Sequence, residues 1–215
     1  MRQWINLVES MHYVDVTEHP GFEEWFRGSK IVDNHGNPLR VYHGTTQDFA
    51  AFGGDDAEMP YRGGIIAFFS TSTEFASDYA TQHPGANVKP CYLRCLKPFD
   101  YRKDWSKAAW FWEDTGGLRD RAEINRILMG LGNTEIELDT QDTELTEEQF
   151  TQAVKEGSWD ALEAPEFVEY LTSEMGYDCI ITLENGAINF GIFDPRQVKS
   201  AYARSFDRDD ERFGE

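Results

Sequence analysis

The sequence predicts an α+β protein, and three observations carry that reading. Short apolar segments are paired by turn signals, at Asp33–Pro38 and at Glu184-Asn185-Gly186. Helix-period runs gather in one stretch of the chain, at 118–128 and 147–153, instead of alternating with the strands. The 215 residues suit one domain with an insertion.

The elements follow in order. Residues 1–17 alternate apolar and polar and read as a short helix with an extended segment. Pro20 ends whatever precedes it, and Phe22–Phe26 reads as a short helix with an aromatic face. Ser29–Val32 and Leu39–Tyr42 read as strands around the turn at 33–38. The loop 47–62 is rich in Gly, Asp and Pro, with Phe49 and Phe52 as plugs onto the core. A strand is expected at 64–70, and a helix at 73–82 opens on Ser72-Thr73-Glu74, a run suited to capping. Val88–Leu96 reads as a strand ended by Lys97-Pro98. From 102 to 158 the pattern changes to a helical insertion with an acidic stretch at 135–148. A helix at 164–175 starts near Pro165 and stops at Gly176. Tyr177–Leu183, Ile188–Phe193 and Val198–Tyr202 read as strands. The expected organisation is one domain over 1–206, with 102–158 inserted and a frayed charged tail at 207–215.

Composition removes several classes of function. A net charge of −19 disfavours a broad nucleic-acid footprint, which needs clustered Lys and Arg. Cys91, Cys95 and Cys179 are odd in number and lack metal-ligand spacing, as buried thiols in a reducing compartment would. The five histidines are scattered singly, so no metal site is expected. The first 17 residues lack a secretory pattern and no apolar run has membrane-spanning length, so a cytoplasmic location is expected, with no membrane partner.

The chemistry concentrates in three pieces: Val41-Tyr42-His43-Gly44-Thr45-Thr46, Phe68-Phe69-Ser70-Thr71-Ser72, and Ala76-Ser77-Asp78-Tyr79-Ala80. An isolated histidine at a strand end is most often a core residue. Here a glycine and a threonine follow it, and an aromatic-rich strand and a helix bearing Tyr79 come next. Together they suit a flat, polar aromatic ligand, stacked on rings and hydrogen-bonded to the Gly44 backbone, where no Cβ blocks approach.

The order of these pieces resembles the ADP-ribosyltransferase fold of diphtheria toxin and the poly-ADP-ribose polymerases. The longer string is closer to the ADP-ribosyltransferase-like domains of phage and mobile-element polyvalent proteins. It runs from Phe22, Trp25 and Phe26 through Ser29-Lys30-Ile31-Val32-Asp33, Gly36, Pro38 and Leu39 to His43-Gly44-Thr45. Gly176–Ile181 and Phe193-Asp194-Pro195, with Gln197–Ala201, continue it. The resemblance covers about 21–101 and 159–203. It implies two packed, mostly antiparallel sheets with flanking helices. It implies NAD as substrate, with ADP-ribose moved to a macromolecular acceptor, here a host protein by the acidic charge.

By the same resemblance, His43 bonds the ribose hydroxyls and Gly44, beside Thr45, bonds the carboxamide. Tyr79 and either Phe69 or Phe68 sandwich the ring next to Ser70. Apart from the resemblance, Arg62, just before Gly63-Gly64, is the candidate phosphate contact. Ser70-Thr71-Ser72 is also similar to a motif of arginine-modifying toxins, but those carry an arginine where His43 stands. Relatives have a catalytic glutamate at the position of Asn189. Asn189 accepts a hydrogen bond without a charge, and Glu184 in the neighbouring hairpin is the candidate to supply the carboxylate. NAD hydrolysis is a further possible outcome of the same chemistry. Two other readings stay open: a catalytically inactive NAD- or ADP-ribose-binding protein, and an acidic decoy for a host protein.

Overall fold

A computed structural model describes residues 16–46, 51–52, 64–80, 87–132 and 144–212. Its centre is one seven-stranded sheet. The strands are β1 (Val41–Thr45), β2 (Ala67–Ser70), β3 (Asn87–Leu93), β4 (Pro98–Asp100), β5 (Cys179–Glu184), β6 (Ala187–Ile192) and β7 (Val198–Ser200). Their order is β4-β5-β6-β2-β1-β3-β7, antiparallel throughout except for β4 beside β5. The two packed sheets expected from the sequence are, among the described residues, this single sheet. The reason lies at its middle: β1 and β2 register at only one pair, Tyr42 opposite Ser70. That pair joins the halves β4-β5-β6-β2 and β1-β3-β7, and beyond it the strands part.

The sheet separates two cores. On one face, Val41, Phe69, Leu93, Phe190 and Ile192 pack with Ile31 and Phe52. On the other, Phe68 and Ile180 meet a large helical layer. That layer holds α3 (Tyr101–Asp104), α4 (Lys107–Thr115), α5 (Arg121–Gly130), α6 (Glu147–Glu156), α7 (Trp159–Leu162) and α8 (Pro165–Glu169). Three of these helices have a local cause at their ends. Asp120 caps α5 through Ala122 N–H and Glu123 N–H, Thr146 and Gln149 form a capping box on α6, and Gly116 and Gly157 end α4 and α6 in left-handed conformation. Phe111, Ile127, Leu128 and Phe150, from the segment set apart in the sequence, share one core with Phe99, Phe167 and Ile180. The helix expected at 164–175 widens after α8 into a π turn at Tyr170–Glu174, where Met175 N–H bonds Tyr170 O.

At the other end, a 3-10 turn at Val16–Glu18 stops short of Pro20, as expected, and Pro20 itself opens α1 (Pro20–Phe26), with the His19 ring accepting from Gly21 N–H. Phe22, Trp25 and Phe26 pack on Tyr92 and Phe206. Pro98, expected only to stop β3, begins β4. As the sheet's edge strand, β4 tolerates the missing N–H. Lys199, fully buried, donates from Nζ to the carbonyls of Asp210 and Arg212, and Arg212 bridges Ala51. The described part of the tail is therefore docked rather than frayed.

Candidate functional site

The sheet register builds the site. Tyr42 pairs with Ser70, Ser70 with Asn189, and Asn189 with Thr182, so one row crosses β1, β2, β6 and β5 on one face. Side chains two residues along a strand share that face. Gly44, Phe68 and Glu184 therefore join the row. The helix α2 (Thr73–Ala80) lies over the β1 end and brings Phe75, Ala76 and Tyr79. From the helical layer, α7 brings Trp159, with Glu163 just after it. These residues other than Thr182, with His43 and Phe69, line a cavity of about 300 Å³ where β1 and β2 part.

Gly44 is fixed by packing. A Cβ built there would lie 1.8 Å from the Ala76 carbonyl oxygen, so α2 sits where a side chain would be. The missing side chain serves the approach of helix to strand, which corrects the sequence argument that it clears a path for a ligand. The backbone is a separate matter. Ala201 N–H bonds Pro90 O, so Pro90 turns away from β1. Tyr42, opposite Pro90, turns its own N–H and C=O toward β2. Gly44, two residues on, does the same, but past the last β1–β2 pair. Its polar groups face the opening between the strands.

His43 is 3% exposed, and its Nδ1 lies 2.8 Å from the Phe68 carbonyl oxygen. A carbonyl only accepts, so Nδ1 carries the proton and Nε2 is the acceptor nitrogen. Burial lowers its pKa to about 4, with Lys89 adding repulsion against the opposing Phe68 bond. The imidazole is neutral at pH 7.

The aromatics divide between core and cleft. Phe69 is 1% exposed, packed on His43 and Phe52 with ring centroids 5.2 Å away in each case. Phe68 is half-buried and meets Trp159 edge-on at 5.2 Å. Gly191 makes room for it, since a Cβ there would be 2.8 Å from the Phe68 ring. Of the two rings left open by the sequence, Phe68 has the accessible face. Tyr79 is 61% exposed, stands 5.4 Å from Phe75, and keeps its phenol proton to higher pH through burial and the charges of Glu184 and Glu163.

Asn189 is 1% exposed, and neither its Oδ1 nor its Nδ2 has a hydrogen-bond partner among the described residues. Glu184 Oε2 is likewise buried and unpartnered. Ser70 Oγ accepts from Ser72 N–H. Thr45 is buried outside the lining, and Arg62 falls outside the described residues. Gln197 clamps Asp194, Arg94 and Asp178 and does not line the cavity. Sequence reasoning missed Phe75, Trp159 and Glu163. No local signal marked them, because only the packing of α2 and α7 onto the sheet brings them in.

The fold and cleft define an α+β protein with an aromatic, acid-rimmed pocket at the split of its sheet. The family described as ADP-Ribosyltransferase in polyvalent proteins matches residues 33–207, and the chain belongs to it. Its domain is thereby ADP-ribosyltransferase-like. No curated protein matches the chain. A solved structure titled "Crystal structure of an anti-CRISPR protein" is similar at 11% identity over 72% of this chain and 88% of that one, with a TM-score of 0.33. No helix among the described residues is long and apolar enough to cross a membrane.

Proposed function

We propose that the cleft binds the nicotinamide end of NAD as substrate and that the protein transfers ADP-ribose to a macromolecular acceptor. The observation that carries this reading is the convergence of His43, Gly44 and Tyr79 on one cavity, in a chain whose family is ADP-ribosyltransferase-like. The cavity volume lies at the lower end for ligand sites, enough for one end of a dinucleotide.

The residues fit that end. Tyr79 and Phe68 offer ring faces, and Gly44 offers an N–H and a C=O to a carboxamide. Neutral His43 accepts a ribose hydroxyl at Nε2. The unpartnered amide of Asn189 awaits a donor and an acceptor, and a ribose hydroxyl is both. The reaction exchanges the bond from the ribose anomeric carbon to nicotinamide for one to the acceptor, the electron pair leaving with neutral nicotinamide. Positive charge grows on the ribose meanwhile. Asn189 meets it with a dipole, and Glu184 supplies the carboxylate.

The test is nicotinamide release from labelled NAD with a cell lysate. Label on a macromolecule, lost in Glu184→Gln, is expected. Label released only as free ADP-ribose would make the protein a glycohydrolase instead. The missing charge at Asn189 favours a second reading, a binding protein without turnover. NAD binding with no nicotinamide released by wild type would establish it.

A further inference from the structure

Three contacts fix the ring of His43. Its Nδ1 proton points at the Phe68 carbonyl, 2.8 Å away. Its plane is set by two other rings. Phe69, on β2, has its centroid 5.2 Å off, and Phe52 stands at 89° to the imidazole with centroids 4.9 Å apart. Phe52 is 4% exposed and meets Phe69 edge-on at 5.2 Å, so the three rings pack as one group. Phe69 is carried by its strand. Phe52 belongs to none of the seven strands and must be held otherwise.

The C-terminal segment holds it. Ala51, the neighbour of Phe52, pairs with Arg212 in an isolated antiparallel bridge. Lys199 of the edge strand β7 grips that segment in turn. Its Nζ lies 2.8 Å from the Asp210 carbonyl oxygen and 2.7 Å from that of Arg212. Lys199 is fully buried, so these carbonyls stand in for water, and the tail cannot leave without stranding an ammonium. Asp210 stiffens the grip, pairing with the Arg212 guanidinium and accepting from Arg212 N–H. A continuous path of contacts thus runs from Lys199 through Arg212, Ala51 and Phe52 to the imidazole in the cleft.

We propose that Phe52 is a positioning residue for His43, and that segment 210–212, clasped by Lys199, keeps it in place. The proposal rests on the reading above at one step, where His43 accepts a ribose hydroxyl. Phe52 acts through His43 in two ways. It keeps the ring turned so that Nδ1 stays on the Phe68 carbonyl and Nε2 serves the ligand. It also excludes water, which holds the imidazole neutral against the pull of that carbonyl, with help from Lys89, the charged residue opposite His43 on β3. Phe52, Phe68 and Phe69 bring no charge of their own. Once the tail lets go, Phe52 loses its support and His43 takes up a proton more readily. A protonated Nε2 donates and no longer accepts.

The test uses the whole chain and reaches the imidazole from both ends of the path. Phe52→Leu removes the ring and keeps the place apolar. Lys199→Met removes the clasp and touches neither Phe52 nor His43. NMR of the imidazole nitrogens is expected to show wild-type His43 neutral, with its proton on Nδ1, down to about pH 4. Both variants are expected to titrate well above that, toward 6.5, and Lys199→Met also to lose slow amide exchange at Arg212. Val154→Ala, a loss of packing in the helical core, is expected to leave the His43 titration as in wild type, which separates a local effect from lost stability. By calorimetry, NAD is expected to bind both variants about three- to tenfold more weakly, the scale of one net hydrogen bond. Free nicotinamide, which has no ribose, is expected to bind them as it binds wild type. A wild-type titration of His43 in either variant overturns the proposal, as does slow exchange preserved at Arg212 in Lys199→Met, or NAD affinity unchanged in both. If NAD fails to bind wild type, the substrate reading falls, and the imidazole titration alone decides whether Phe52 positions His43.

Discussion

Asn189 offers a test in which stability and function move in opposite directions. Its amide is 1% exposed, with no partner among the described residues for either polar atom. A buried polar group left unsatisfied costs about 1–3 kcal/mol. Asn189→Leu keeps the number of side-chain heavy atoms, removes that cost and adds apolar contact. The substitution is therefore expected to stabilise the ligand-free protein by about 1–3 kcal/mol. In a chain of this size each kcal/mol moves the melting temperature by about 2–4 °C. Thermal melts and urea titrations of both proteins read the change directly. NAD binding, measured by calorimetry on the same samples, is expected to weaken. Such an exchange of stability against binding marks a residue kept for a ligand. Destabilisation of Asn189→Leu by more than about 1 kcal/mol would refute the reasoning, because the amide would then be serving the fold.

Gly44→Ala forces α2 off β1, since its Cβ meets the Ala76 oxygen at 1.8 Å. A loss of about 1–3 kcal/mol in urea denaturation is expected, with weaker NAD binding as Tyr79 moves; an unchanged protein would mean that α2 does not pack as described. His43 titrates near 6.5 unfolded and at about 4 folded, so the unfolded chain takes up its proton first as pH falls. Stability is lost from about pH 6.5 down to 4. The loss is about 2 kcal/mol at pH 5, read as the difference between wild type and His43→Gln, and equal pH slopes in the two would contradict it. Truncation after Phe206 leaves the Lys199 ammonium buried without the Asp210 and Arg212 carbonyls. A loss of about 3 kcal/mol is expected by denaturation, largely restored by Lys199→Met in the same truncated chain.

Much of this architecture was legible in the sequence wherever a local pattern carried it. The turn at Glu184-Asn185-Gly186 announced the β5–β6 hairpin, with Asn185 taking a positive φ of 48°. Ser72 caps α2 by accepting from Phe75 N–H, as its place before Thr73 and Glu74 implied. His43, Gly44 and Tyr79 meet because adjacent elements carry them. The errors arose where distant segments decide. Whether seven strands form one sheet or two depends on the single pair Tyr42–Ser70, which no periodicity reveals. Phe68 and Phe69 were indistinguishable until the register fixed which face Tyr42 and Ser70 share. Gly44 was read for its backbone, whereas Ala76, 32 positions along the chain, is what forbids a side chain there. Trp159 and Glu163 reach the cleft from a four-residue helix and the residue after it, whose sequence says nothing of the strand they face.

The central claim is that NAD enters between the parted ends of β1 and β2 with its ring against Tyr79. Titration of NAD into wild type and Tyr79→Ala, followed by amide NMR and calorimetry, tests it most directly. The account predicts the largest shifts at Gly44, Tyr79 and Asn189. It also predicts binding weaker by about 1–3 kcal/mol in Tyr79→Ala, the worth of one stacked ring. Shifts that map away from this cleft, or equal affinity in a folded Tyr79→Ala, would contradict it.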